Sequence, residues 1–340
     1  GIERYGTGAA MSNLHAATTP DGQERPRVAF FGMRCAFSVP PLEALLRAGC
    51  DVRAVVVPGL TGGPSVQWRM PRPSGTVPLA VDERGNEATI DRVAGEASVP
   101  ILEIGNLTDP DALAAIRGLA PDVIAVACFP WRIPRAVRAL PRFGCLNVHP
   151  SLLPRWRGPE PIFWTFRAGD TETGTTVHLM DGGLDSGPVL LQERLPIRSG
   201  IEGVALERDL AILGGALLAR AIAGLADGAP APVPQVESAA THAPVPEDAD
   251  LVLDPGQPAR RVFDFVRGVA PLWGPVTVVD GASGQSWAVD DALDVDESAT
   301  QDAAVVRAGR VLSLRCNPGV IRVTECYVTD SAPLTPRISV

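Results

Sequence analysis

The sequence predicts a doubly wound α/β domain followed by a smaller all-β unit. Three observations carry this reading. Short apolar runs ended by turn residues alternate with helically spaced segments over the first two-thirds of the chain. Residues 227–250, dense in Ala, Pro and acidic groups, then break the pattern as a linker would. Beyond them come several short strand-like runs.

Residues 1–26 are polar and lack the apolar core of a secretion signal, so they read as a disordered tail in which Met11 is a natural start. Arg27–Gly32 is a short apolar run ended by Gly, as expected of a buried parallel strand. Leu42, Leu45 and Leu46 space a helix, and residues 52–57 form a second strand. That β-α-β order implies a right-handed crossover. A single Gly ends the first strand, without the G-x-G-x-x-G pattern that seats a pyrophosphate, which argues against NAD. Residues 59–97 read as a long loop with at most short elements, the kind that is functional or mobile. Next come a strand near Ile101, a helix over about 109–119, a strand over 123–127, a helix after Pro134 and a strand over 144–148. Strands over 175–179 and 189–195 and a long Ala/Leu helix over 201–225 complete the domain. After the linker, a short helix over 258–268 precedes strands over 276–279, 286–289, 304–307, 311–315 and 321–328.

The composition narrows the function. The formal net charge is −9, which weighs against a nucleic-acid binder with its basic face. All 30 basic residues are Arg, so Schiff-base chemistry through a lysine is excluded. No run of about 18 apolar residues occurs, and no membrane span is expected. The six cysteines are scattered without a CxxC pair, which suits reduced thiols in a cytoplasmic protein, and no Cys/His cluster offers a metal site.

The chemistry-bearing stretch runs from Gly144 to Gly158, GCLNVHPSLLPRWRG, followed by MDGGLDSG over 180–187. Asn147 and His149, two apart at the end of a strand, point to the same side of it. Sites in doubly wound sheets lie at strand C-terminal ends. Asp185 sits among Gly182, Gly183 and Gly187, which let backbone approach a ligand closely. A carboxylate beside an imidazole raises the imidazole's pKa and fixes its orientation. His178 reads as a structural or supporting neighbour. Trp156, Phe163, Trp164 and Phe166 read as core or pocket wall. Arg155 and Arg157 are either contacts for an acidic substrate or a solvated face, and Cys128 and Cys145 read as packing.

The N-V-H-P-S-L-L-P run followed by the D-x-x-L-D-x-G loop resembles that of the folate-dependent formyltransferases, with similarity over roughly 27–335. The R-W-R-G continuation and the C-terminal β unit are most similar to methionyl-tRNA formyltransferase and its small-molecule-acting relatives. The resemblance implies a Rossmann-like catalytic domain over 27–226, a linker over 227–250 and an OB-like β domain over 251–335. It implies 10-formyltetrahydrofolate as co-substrate and puts Asn147, His149 and Asp185 on the family's catalytic positions. It also points to Trp131, Arg132, Ile133, Asp181, Gly182 and Gly183 as the pterin-binding residues. In that chemistry an amine attacks the formyl carbon while Asn147 and a protonated His149 donate to the developing oxyanion. Asp185 keeps His149 charged and helps move the amine proton.

The acceptor is read from charge. A tRNA enzyme binds a polyphosphate, and its relatives carry a basic loop and a basic C-terminal domain. Here residues 241–340 hold 8 Arg against 14 acidic residues, and the family's T-Y-A-x-K pattern reads Thr241-His-Ala-Pro-Val245, without its lysine. The expected acceptor is therefore a small-molecule or carrier-bound amine: an amino acid, a hydroxyornithine or an amino sugar. Methionyl-tRNA is the alternative, because the R-W-R-G-x-x-P-I motif is close to that branch. Hydrolysis of 10-formyltetrahydrofolate is a further alternative.

Overall fold

The computed structural model describes residues 25–60, 62–70, 89–280 and 283–326. In chain order come β1 (Arg27–Gly32), α1 (Val39–Arg47), β2 (Asp51–Pro58), β3 (Val66–Arg69), α2 (Ile90–Glu96), β4 (Ile101–Ile104) and α3 (Pro110–Gly118). They are followed by β5 (Val123–Ala127), α4 (Arg135–Arg138), β6 (Cys145–His149), α5 (Pro161–Ala168), β7 (Glu172–Leu179), β8 (Val189–Pro196) and α6 (Gly203–Gly224). These build an eight-stranded sheet of order β3-β4-β2-β1-β5-β6-β7-β8. The central strands from β4 to β6 run parallel, while β3, β7 and β8 are antiparallel additions. The strand order reverses between β1 and β5, the crevice where such sheets bind ligands.

Parallel strands covered by helices on both faces must be apolar on both faces, and β5 is buried at every residue. One face packs Phe30, Val55 and Val148 with Leu42 of α1 and Leu210 and Leu218 of α6. The other packs Phe31 and Leu102 with Ile116 of α3 and Val137 of α4. The segment from Gly203 to Asp227 is long and apolar enough to cross a membrane by length and composition, but its Leu206, Leu210, Leu217 and Leu218 are spent on this core.

The second unit comprises β9 (Val252–Leu253), α7 (Ala259–Trp273), β10 (Val276–Val279), β11 (Ser286–Asp296), β12 (Val305–Ala308), β13 (Val311–Arg315) and β14 (Val320–Glu325). Its sheet order is β12-β13-β14-β11-β10-β9. Strand β11 is longer than its sequence pattern suggests, because register shifts let its first part pair with β10 and the remainder with β14. The tail expected over 1–26 lies almost wholly outside the described residues, as do 71–88 of the expected loop and the end of the last expected strand.

Helix α7 also outruns its expected end at Gly268. That glycine is a contact rather than a stop: a Cβ there would sit 2.3 Å from the Phe166 ring of α5. On α6, a Cβ at Gly203 would lie 1.9 Å from the Gly268 carbonyl oxygen. Phe163 meets Phe265 and Trp273 edge-on at 6.1 and 5.3 Å between ring centroids, joining both units in one apolar core. Gly203→Ala should therefore cost about 1–3 kcal/mol through overpacking against backbone that cannot yield. Denaturant unfolding would measure it, and wild-type stability would contradict this docking.

Candidate active site

Strand β6 delivers Asn147 and His149 to the C-terminal edge of the parallel sheet. Antiparallel β7 places His178 directly opposite Asn147. The Asn147 amide Nδ2 donates to His178 Nε2 at 3.2 Å, while His178 Nδ1 donates to the Leu179 carbonyl at 3.1 Å. The amide's orientation is thus fixed, with its second hydrogen left for a ligand. His178 is 1% exposed and is the supporting neighbour the sequence suggested, here with a defined partner.

Asp185 stands in the turn between β7 and β8. Its Oδ2 accepts from the Gly158 N–H at 2.9 Å and lies 3.7 Å from His149 Nδ1; its Oδ1 is 3.6 Å from His178 Nε2. The turn is tight because Gly187 crosses the end of β7, where a Cβ would fall 1.7 Å from the Leu179 carbonyl oxygen. Asp181 staples it by accepting from Gly183 N and Ser186 Oγ at 2.8 and 2.9 Å. Two of the five non-glycine residues with positive φ in the described chain, Trp156 and Asp185, lie in this site. Such strain collects at functional sites.

The electrostatics differ from the expectation of a charged imidazole. His149 is 4% exposed, and burial pushes its pKa below the usual histidine value. Asp185 and a bond to the Trp156 carbonyl push the other way without offsetting burial. A carbonyl only accepts, so His149 Nε2 carries the proton at 2.8 Å from Trp156 O, and Nδ1 faces the Asp185 carboxylate. Burial also pushes the Asp185 carboxyl up, but the two imidazoles and the Gly158 N–H outweigh it and hold it well below the usual carboxylate range.

The residues expected at the pterin come together on facing loops. Arg132 donates to the Gly182 carbonyl, joining the 131–133 segment to the 181–183 turn. Trp131 packs edge-on to Phe129 at 5.6 Å and Phe129 against Phe31 at 5.3 Å, giving an apolar wall that Met180 extends. The Ile133 side chain is buried in the core and its carbonyl accepts from Arg138 Nε at 3.0 Å, so it shapes the segment from behind. A flat heterocycle with a polar edge fits an apolar wall rimmed by backbone amides.

Neither Arg155 nor Arg157 is a free cation. Arg155 pairs with Asp170, which also accepts from Trp156 Nε1 at 2.9 Å. Arg157 is 3% exposed and pairs with Glu237. Nor does the segment expected as a plain linker hang free. Its residues bond the loop after β6 through Arg157 N to Thr241 O, Ala243 N to Arg157 O and Trp156 N to Thr241 Oγ1, at 2.9, 2.7 and 2.9 Å. Gly158, at φ +125°, has no room for a Cβ, which would sit 2.6 Å from Ala243 O. No sequence pattern announces these contacts, because they are made mostly by backbone.

Residues 45–222, which contain Asn147, His149, Asp185 and the residues expected at the pterin, match the formyl transferase family. The chain belongs to that family. It is 33% identical over 309 residues to a methionyl-tRNA formyltransferase from Sorangium cellulosum, covering 91% of this chain and 94% of that protein. It is 37% identical over 308 residues to one from Anaeromyxobacter dehalogenans, covering 90% and 93%. Among solved structures, an N-formyltransferase from Helicobacter canadensis in complex with folinic acid and dTDP-3-aminofucose shares the fold at a TM-score of 0.60 and 12% identity, over 89% of this chain and 100% of that one. HypX from Aquifex aeolicus in complex with tetrahydrofolic acid aligns at 0.57 and 15% identity, over 88% and 44%. The protein is a formyltransferase, and the family's formyl donor is 10-formyltetrahydrofolate.

The depressed Asp185 pKa has a stability consequence. A carboxyl whose folded pKa lies below its unfolded one stabilises the fold above the unfolded value of about 4 and loses that contribution as pH falls through the folded one. The stability difference between wild type and Asp185→Asn should therefore shrink as pH drops below about 4. Unfolding curves at several pH values test this; a constant difference would show that the carboxylate is not so held.

Proposed function

We propose that this chain transfers the formyl group of 10-formyltetrahydrofolate to the α-amine of methionyl-tRNA, using Asn147, His149 and Asp185, in the cytoplasm. The observation that carries the acceptor is the extent of the likeness: the relatives of that name match some nine-tenths of this chain, second sheet included. That outweighs the charge-based preference for a small amine. The chemistry falls to the unit expected over 27–226, with 251–335 as the appended β domain.

The amine nitrogen attacks the formyl carbon, and charge develops on the formyl oxygen. The free hydrogen of the Asn147 amide donates to that oxygen. His149 enters neutral with its Nε2 proton on Trp156, so Nδ1 is the atom that takes the amine's proton, directly or through one water. The imidazolium so formed faces the Asp185 carboxylate, which favours it. The proton then passes to the departing folate nitrogen as its bond to the formyl carbon breaks, and His149 returns to the neutral state. Trp131, Arg132 and the 181–183 turn hold the pterin against the apolar wall.

His149→Ala should abolish transfer with the fold intact, and Asn147→Ala should lower kcat by about 10²–10³-fold. Because the neutral imidazole is the competent form, activity should fall on the acid side with a midpoint below about 6.5. Asp185→Asn removes a charge that raises this pKa and should move the midpoint lower still. A rate profile whose acid limb lies above 7 would contradict the assignment.

One observation favours a second reading, a small or carrier-bound amine. Each described arginine beyond Leu251 is engaged: Arg260, Arg267, Arg307, Arg310 and Arg322 with carboxylates, Arg261 and Arg315 with backbone carbonyls. That leaves the second unit little free positive charge for phosphates. Formyl transfer assayed against charged Met-tRNA and a panel of amines decides. Efficient tRNA formylation supports the first reading and transfer to small amines alone the second. Formate release without any amine would make the chain a hydrolase.

A further inference from the structure

The segment between α6 and β9 contributes a side chain to the site. Gln235 Oε1 accepts from Arg157 Nε and Nη2 at 3.1 and 2.9 Å, and Gln235 Nε2 donates to the carbonyls of Asp185 and Gly187 at 2.8 and 2.7 Å. One planar amide thus takes a buried guanidinium on its oxygen and holds two carbonyls of the Asp185 turn on its nitrogen. The turn needs such a hold. Asp185 has φ +49°, a conformation most side chains avoid, and the Asp181 staple reaches Gly183 and Ser186 but holds neither the Asp185 nor the Gly187 carbonyl. Arg157 is in turn fixed by Glu237 through two bonds of 2.9 Å, and its backbone is bridged to residues 241 and 243. Val233, two residues before Gln235, exchanges both backbone bonds with Val189 at 2.8 Å, fixing the segment to the start of β8.

We propose that Gln235 is a positioning residue for Asp185, setting the carboxylate's distance to His149 from the chain that links the two sheets. The inference rests on the reading of Asp185 as part of the catalytic group and adds that the connection between the sheets is part of the site. Glutamate at 235 keeps an acceptor for Arg157 but loses both donors to the turn, so it separates anchoring of the segment from positioning of Asp185.

The test compares Gln235→Glu and Gln235→Ala with wild type in the full-length enzyme, under saturating folate, with thermal unfolding and circular dichroism as folding checks. Both variants should lose about tenfold to a hundredfold in kcat, as displaced supporting groups typically cost. KM for the folate should stay within about twofold, because the 131–133 segment and the 181–183 end of the turn are held by Arg132 and Asp181 rather than by Gln235. In Gln235→Ala the acid limb of the kcat profile should also shift to lower pH, since the Asp185 charge that raises the His149 pKa is no longer held against the ring. A purely structural role would scale the profile without moving it, and that result, or Gln235→Glu behaving as wild type, would overturn the proposal. Asp185→Asn is assayed alongside: full activity in that variant would sink the catalytic reading itself, whereas an inactive Asp185→Asn beside a wild-type-like Gln235→Glu sinks only the present inference.

Discussion

The site depends on one partly buried carboxylate. Asp185 faces His149 and His178 and accepts from the Gly158 N–H, so it links the loop after β6, the end of β7 and its own turn through one group. Burial makes an unpaired carboxylate costly. The structure meets that cost with the Gly158 N–H and a partly open turn, and sets two imidazoles rather than an arginine beside the charge. A guanidinium would fix the charge permanently, whereas an imidazole that is neutral at rest lets the attraction appear when a proton arrives. The pair is then matched to a charge that develops during the reaction, which is where electrostatic stabilisation accelerates chemistry.

Holding that geometry takes backbone that few residues tolerate. Asp185 and Trp156 adopt left-handed conformations, and Gly158 and Gly187 lie where a Cβ would strike a carbonyl oxygen. These positions lie on two loops that meet at the bond from Gly158 N to Asp185 Oδ2. The segment that continues from α6 crosses both and bonds to each, so the connection between the sheets braces the site as well as joining the units.

Much of this was legible in the sequence because it is written in local patterns. Apolar runs gave the parallel strands, and the N-V-H-P-S-L-L-P and D-x-x-L-D-x-G motifs, through their resemblance to a family, pointed to Asn147, His149 and Asp185 as candidates. The clustering of Gly182, Gly183 and Gly187 marked the turn. What escaped depends on long-range contact. The pKa of His149 follows from how deeply β6 is covered, which no spacing encodes, and covering outweighed the neighbouring carboxylate. Arg155 and Arg157 looked like available charge because their partners, Asp170 and Glu237, lie 15 and 80 residues away. Residues 227–250 looked like a linker because backbone bonds leave no trace in composition. The acceptor is the least legible feature of all, since charge balance and family likeness point to different amines.

The most direct test of this account is an NMR titration of the imidazole of His149 in the free enzyme, assigned with His149→Ala. The account expects a neutral ring at pH 7, a midpoint below about 6.5 and a further fall in Asp185→Asn. A ring protonated at pH 7, or a midpoint indifferent to Asp185, would contradict it.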